Sequence, residues 1–279
     1  MKETVAHVVQ YGIKPIASKE DFWRRVEAQI RQAQKEGSSF VLFPEYLTGH
    51  LLALVPAMDH DEACRYLDEH TGEYLSAFRR FSRDTGMIIL GGTHIIREGG
   101  CFYNTAFLFF PDGRVEKQAK VHLTPEERRA WKLSAGDQFQ VFDTPLGRLA
   151  ILICYDIEFP EAARQVADEG ATIILCPSYT DGADGYWRVR HCCQARAIEN
   201  QVYVALSGIV GKLPQVPQMD AGWCRAGFFA PCDYPFPDDG VLALGRTNVH
   251  MSVRGVLSPE RLQENRESGK VAPFFDRRR

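Results

Sequence analysis

Phe40-Val41-Leu42-Phe43-Pro44-Glu45-Tyr46 is four apolar residues, a proline and then an acid. A run that is apolar at every position fits a strand buried on both faces, and proline, which cannot donate to a ladder, ends it. Glu45 therefore stands just past a strand end. Upstream, Val5 to Val9 reads as another short strand, and Lys19 to Lys35 as an amphipathic helix with Phe22, Val26, Ile30 and Ala33 along one face. Downstream, Thr71 to Thr85 reads as a helix and Met87-Ile88-Ile89-Leu90 as a strand. This βαβ alternation predicts an α/β fold.

Further along, Tyr103 to Phe110 and Val115 to Lys120 flank the turn Pro111-Asp112-Gly113. Val141 to Thr144 and Leu149 to Cys154 flank Pro145-Leu146-Gly147 in the same way. Two hairpins inside a βα rhythm imply a mixed sheet. Glu161 to Glu169 then reads as a helix, Thr172 to Cys176 as a strand, Gly185 to Asn200 as a long helix and Val202 to Leu206 as a strand. A single domain over 1–279 is expected, with a less regular C-terminal tail from about residue 212, where Pro214, Pro217, Pro231, Pro235 and Pro237 fall.

The 279 residues are 45% hydrophobic and 25% charged, enough to bury one large core. A formal net charge of -3 gives no reason to expect nucleic acid or an anionic membrane as partner, and Arg277-Arg278-Arg279 reads as a solvated tail. No stretch reaches the roughly 18 apolar residues of a spanning helix, and the amino terminus lacks the pattern of a secretory signal. A cytoplasmic protein is expected. The eight cysteines form no C-x-x-C pair, so most are read as reduced, buried thiols, including the adjacent Cys192 and Cys193.

Three polar residues follow apolar strands where α/β sheets place reactive groups: Glu45 after FVLF, Lys120 after VEKQA and Cys154 after LAILI. Alone, each reads as a cap, a solvated lysine or a core thiol. Together they supply a nucleophile, a base and a cation. A free thiol is only a few per cent thiolate at neutral pH and needs a proton acceptor and a positive neighbour. Glu45 would accept the proton. Attack on an amide or nitrile carbon pushes negative charge onto oxygen or nitrogen, which Lys120 and the backbone N–H of Tyr155 would stabilise.

FPEY at 43–46, KVHLTPEE at 120–127 and CYDIEFPE at 154–161, in that order, resemble the nitrilase, or carbon–nitrogen hydrolase, superfamily. Tyr103-Asn104-Thr105-Ala106, Pro111-Asp112-Gly113 and Gln194-Ala195-Arg196-Ala197-Ile198-Glu199-Asn200 extend the resemblance over roughly Val5 to Gly211. The resemblance implies a four-layer αββα sandwich of two mixed sheets flanked by helices, and a catalytic triad on Glu45, Lys120 and Cys154. It implies a small-molecule amide or carbamoyl-amine substrate, no metal or organic cofactor, and a homodimer or larger homo-oligomer. Nitrile hydrolysis or acyl transfer would use the same triad, and a non-catalytic binding module would keep the fold alone. The family often adds a second glutamate after the lysine motif, which falls on Glu127 with Glu126 beside it; TPEERR also reads as a helix start with acids in its first turn. The sequence looks most like a branch in which this domain is sometimes fused to an acetyltransferase-like domain.

Other residues carry two readings each. His122, two past Lys120, would either approach the site or bond at the strand end. Tyr179, Thr180, Tyr186 and Trp187, beyond the strand ending at Cys176, would wall a pocket or simply pack; Tyr179, Thr180 and Trp187, with Tyr155, are the expected substrate-binding set. Arg188 and Arg190 would bind a substrate carboxylate or form ion pairs. Arg196 and Glu199 read as scaffold. Asp156 and Glu158 are expected to bond backbone or a partner subunit, because a carboxylate on the thiol would raise its pKa.

Overall fold

The computed structural model describes residues 3–277. Met1, Lys2 and the last two arginines of the basic C-terminal cluster lie outside the described residues, whereas Arg277 pairs with Asp168 at 2.8 Å. In chain order the elements are β1 (Thr4–Ile13), α1 (Lys19–Lys35), β2 (Phe40–Leu42), α2 (His60–Glu69), α3 (Thr71–Thr85), β3 (Ile88–Glu98), β4 (Cys101–Phe109) and β5 (Val115–Ala119). There follow α4 (Pro125–Arg129), β6 (Val141–Thr144), β7 (Gly147–Ile151), α5 (Pro160–Asp168), β8 (Ile173–Ser178), α6 (Ala183–Asn200) and β9 (Tyr203–Lys212). The chain closes with β10 (Ala221–Gly222), β11 (Gly227–Phe229), β12 (Val241–Leu244), β13 (Met251–Leu257), α7 (Pro259–Ser268) and α8 (Pro273–Asp276).

Strand pairing runs β5-β4-β3-β2-β1-β9-β8-β7-β6, parallel through β3-β2-β1-β9-β8-β7 and antiparallel at both hairpins. β1 explains how one ladder serves two sheets. Its first seven residues pair with β13, and only its last four, Gln10 to Ile13, pair with β9. The ladder therefore passes from one sheet to the other through a short seam and folds over on itself. Because side chains alternate along a strand, Ala6, Val8, Phe40, Leu42, Ile88 and Leu90 face inward, onto Leu149, Ile173, Leu175, Ala205 and Phe228 of the second sheet. Val9, Tyr11, Val41, Phe43 and Ile89 face outward, onto Phe22, Val26 and Ile30 of α1 and Tyr74, Phe78 and Phe81 of α3. On the far side Ala162, Val166, Val189 and Cys193 of α5 and α6 cover the second sheet. The result is the expected αββα order with mixed sheets.

The helices obey local rules. Ser18 caps α1 by accepting from the Asp21 N–H, and Gly86 at φ 70° ends α3. Before the tail, α2 and the 3-10 segments Leu47–Leu54 and Cys154–Glu158 went unread in the sequence; within it, so did β10 to β13, α7 and α8. The stretch from 212 onward does contain long loops, but β11 joins β9, β13 joins β1, and Val253, Leu257 and Leu262 enter the buried core.

Candidate active site

Glu45, Lys120 and Cys154 leave three different strands and meet at the floor of one cavity of about 770 Å³. Glu45 follows β2, and its backbone is gripped by β3. The Thr93 N–H donates to the Pro44 carbonyl at 3.2 Å, and the Tyr46 N–H donates to Thr93 Oγ1 at 2.8 Å. Lys120 extends β5 by one residue, donating its N–H to the Asn104 carbonyl at 2.9 Å. Cys154 follows β7 at φ 48°, a left-handed conformation costly for a residue with a Cβ. Asp156 holds that turn: Oδ2 accepts from the Ile153 N–H at 3.0 Å and Oδ1 from the His122 N–H at 2.7 Å.

The polar groups form one connected cluster. Lys120 Nζ donates to Glu45 Oε1 at 2.7 Å and to Glu127 at 2.8–2.9 Å. Asn104 Nδ2 reaches Glu45 Oε1 at 2.9 Å and Glu127 Oε1 at 3.0 Å, and the Tyr46 hydroxyl donates to Glu127 Oε1 at 2.7 Å. The Tyr179 N–H donates to Glu45 Oε2 at 2.9 Å. On the thiol side, Ser178 Oγ donates to Cys154 Sγ at 3.2 Å, and Sγ lies 3.4 Å from the Tyr179 carbonyl it donates to.

Burial sets the charge states. It pushes the Lys120 ammonium down, but the carboxylates of Glu127 and Glu45 outweigh it and hold the lysine well above its usual value. Glu45 is raised by burial and by Glu127, against the pull of Lys120. Burial would raise Glu127 too, yet Lys120, the Thr124 N–H and the Tyr46 hydroxyl bring it below the ordinary carboxylate value. Burial and Glu45 together keep the Cys154 thiol well above a free cysteine. At rest the site holds a neutral thiol beside a carboxylate of enhanced basicity and a fixed cation. An ammonium has three protons, and in this cluster they face three carboxylate oxygens, one of Glu45 and two of Glu127.

The structure brings Glu127, not Glu126, onto Lys120. Thr124 caps α4 and Glu127, three residues on, closes a capping box, so the residue that starts the helix is also the one placed on Lys120. Glu126 points to the cavity rim with its side chain 67% exposed. Tyr155, Tyr179 and Thr180 line the cavity. Trp187 does not: it is 40% exposed and packs against Tyr186, His191 and Trp223 outside it. The reason is helical phase. Gly185, Arg188 and Val189 of α6 share the cavity face, and Trp187 lies about 100° round the helix from Arg188.

His122 also stays away from Glu45, Lys120 and Cys154, bonding Asp156 at 3.0 Å and stacking on Phe159 at 3.8 Å. Arg196 donates to the carbonyls of Ile157 and Glu158, tying α6 to the turn after Cys154 as scaffold. Arg188 pairs with Asp184 and Glu158. Arg190 stacks over Trp187. All eight cysteines are free thiols, with Cys101 and Cys232 exposed. Three contributors escaped sequence reading: Tyr46, Asn104 and Ser178. The first two lie inside quoted motifs, but their bonds to residues 81 and 59 positions away arise only from the fold.

A profile of the carbon-nitrogen hydrolase family matches residues 5–249. A probable hydrolase, YhcX, of Bacillus subtilis (strain 168) is 45% identical over 272 residues, which are 98% of this chain and 53% of that protein. The chain thus spans about half the length of that relative. Omega-amidase NIT2-B of Xenopus laevis is 30% identical over 212 residues, 71% of each chain. Among solved structures, Nit3 of Saccharomyces cerevisiae superposes with a TM-score of 0.78 at 24% identity, covering 95% of this chain and 94% of that one. A mutant amidase of Nesterenkonia sp. AN1, carrying acrylamide added at its active-site cysteine, superposes with a TM-score of 0.75 at 22% identity, covering 95% and 97%. At these identities the two structures speak for the fold.

Proposed function

The chain belongs to the carbon-nitrogen hydrolase family, and from that premise we propose that it hydrolyses the C–N bond of a small amide or carbamoyl-amine through an acyl-enzyme on Cys154. The observation that carries this reading is the meeting of a neutral thiol, a raised carboxylate and a fully charged lysine at the floor of a single cavity. The omega-amidase relatives favour an amide over a nitrile.

In the first half-reaction Cys154 Sγ attacks the carbonyl carbon while its proton passes to Glu45. The raised basicity of Glu45 serves this transfer, since a base is most effective when its pKa lies near working pH. The carbonyl electron pair moves onto oxygen, and the resulting oxyanion takes the Lys120 ammonium and the Tyr155 N–H as donors. One such donor is worth about 3–4 kcal/mol of barrier. Glu45 then protonates the leaving nitrogen, the C–N bond breaks, ammonia or an amine departs, and a thioester remains. In the second half-reaction a water gives its proton to Glu45 and attacks the thioester carbon. Collapse expels the thiolate, which regains the proton from Glu45, and the carboxylic acid leaves.

Two measurements test the reading together: mapping of the cysteine alkylated by brief iodoacetamide treatment at neutral pH, and ammonia release over a panel of small amides, carbamoyl compounds and nitriles. Selective alkylation of Cys154, lost in Glu45→Gln or Lys120→Ala and accompanied by ammonia release, supports the triad. Equal reactivity of all eight thiols with no turnover sinks it.

A further inference from the structure

Above the thiol the cavity is lopsided in charge. Its lining carries six carboxylates, on Glu45, Glu126, Glu127, Glu158, Asp181 and Asp220, against two cations, Lys120 and Arg188. Lys120 is matched to Glu45 and Glu127, and Arg188 to Asp184 and Glu158. Glu126, whose carboxylate lies 3.8 Å from the His60 ring, remains at the rim with Asp181 and Asp220, which have no salt-bridge partner among the described residues. The walls between rim and floor are aromatic. Tyr46 stacks on Trp131 with ring centres 5.1 Å apart, and Tyr179 meets Tyr46 edge-on at 6.2 Å.

Resting on the hydrolase reading, we infer that the substrate is an amide or carbamoyl-amine whose far end is cationic, an ammonium or guanidinium held between the Tyr46, Trp131 and Tyr179 rings and the Glu126, Asp181 and Asp220 carboxylates. Ring faces attract cations through their quadrupole, and a concave, one-signed rim raises the local concentration of the opposite charge. Tyr179 shows how the acids converge. Burial raises its phenol, and Asp220, Asp181 and Glu126 raise it further. Its own backbone N–H and carbonyl meanwhile touch Glu45 and Cys154. One residue thus spans the reacting end and the charge-selecting end. A carboxylate-ended amide would meet three unmatched acids and, with Arg188 already engaged by two carboxylates, no free cation among the lining residues.

The test is a series of equal length: 5-aminopentanamide, pentanamide and the monoamide of glutaric acid, with kcat/KM read by ammonia release at low and high salt. The ammonium-ended amide should exceed the neutral one by about tenfold at low salt, with the advantage shrinking as salt screens the rim. The carboxylate-ended amide should fall below both. Asp181→Asn with Asp220→Asn should bring the ammonium-to-neutral ratio towards one. In a second arm that needs no turnover, n-butylammonium but not butyrate should slow iodoacetamide alkylation of Cys154. Turnover without preference for the ammonium end, or a ratio indifferent to the two variants, overturns this inference and leaves the hydrolase reading standing. Protection by n-butylammonium without hydrolysis of any amide upholds charge selection and overturns the hydrolase reading. Neither protection nor turnover overturns both.

Discussion

Lys120 is the residue on which the others depend, because it is 2% exposed and survives as a cation only through two carboxylates. Those carboxylates are not equivalent. Glu127 is bonded by Lys120, Asn104, Tyr46 and the Thr124 N–H and lies below the ordinary carboxylate range, while Glu45 lies above it partly because Glu127 stands beside it. Glu127→Gln keeps a hydrogen-bond acceptor but removes the charge, so Glu45 should titrate at lower pH and lose strength as a base. The acid limb of kcat/KM, which in the native protein should lie above the ordinary glutamate value, should move down. The plateau should fall by about one to two orders of magnitude, within the range ascribed to a positioned base. An unmoved acid limb would show that Glu127 is only a structural anchor. At this scale the sequence was informative where a residue closes a local pattern, as Glu45 does after a strand or Glu127 in its capping box. It was silent on Asn104, whose value lies in reaching two acids that the chain brings together from residues 45 and 127.

β3 is the element that aims Glu45. Its pairing with β4 slips between Leu90 and Thr93, and Gly92 sits in that irregularity at φ 72°, where an added Cβ would lie 2.1 Å from the Pro44 carbonyl. Gly92→Ala must push that carbonyl away or straighten the strand, and either moves Glu45. Beyond a stability loss of about 1–3 kcal/mol from the strained backbone, activity should drop by about a hundredfold, since small misplacements near the chemistry cost that much. The check is a thermal melt beside the amide assay; retention of full activity would mean that Thr93 alone holds the loop. Two residues on, His94 links the 3-10 segment after Glu45 to α3, lying 2.7 Å from Thr48 Oγ1 and 2.9 Å from Thr71 Oγ1. Burial depresses its pKa from 6.5 to about 3. Between those values the unfolded chain binds a proton that the native state refuses, so His94's contribution is whole above 6.5 and is lost as pH falls. By pH 4 the loss is about 3 kcal/mol. Urea unfolding should therefore show stability falling from pH 7 to 4, with a flatter fall in His94→Gln; identical slopes would place the acid sensitivity elsewhere. α1 and α3 were legible to the residue because their apolar faces repeat at helical spacing. The 3-10 segment was not, since Leu47-Thr48-Gly49-His50-Leu51-Leu52 is buried all round and leaves no periodicity to read.

Across the whole molecule, the separation between the site and what holds it up decides how the chain tolerates shortening. Glu45, Lys120, Glu127 and Cys154 lie within the family-matched span 5–249, and β13 begins just beyond it. Yet β13 lies beside most of β1, from Thr4 opposite Leu257 to Gln10 opposite Met251, and β1 carries the seam between the two sheets. This pairing joins segments about as far apart in sequence as the chain permits, which is why a pass along the residues met Met251 to Leu257 as part of a looser tail. Val253, Leu257 and Leu262 are buried in the core. At about 1.5–3 kcal/mol for each buried aliphatic side chain, their loss approaches the roughly 5–15 kcal/mol by which a domain is stable, before the exposed edge of β1 is considered. A chain stopped after Val249 should therefore be insoluble or lack a cooperative melt despite keeping every site residue. A chain stopped after Lys270 keeps β13 and α7, including the bond that Arg266 donates to the Gln201 carbonyl and the one that Gln201 donates to Asn265, and should fold and retain activity with a melting point only a few degrees lower. If the shorter chain melts cooperatively and turns over amide, the two sheets hold together through the β1–β9 seam alone, and β13 is a cover, not a structural partner.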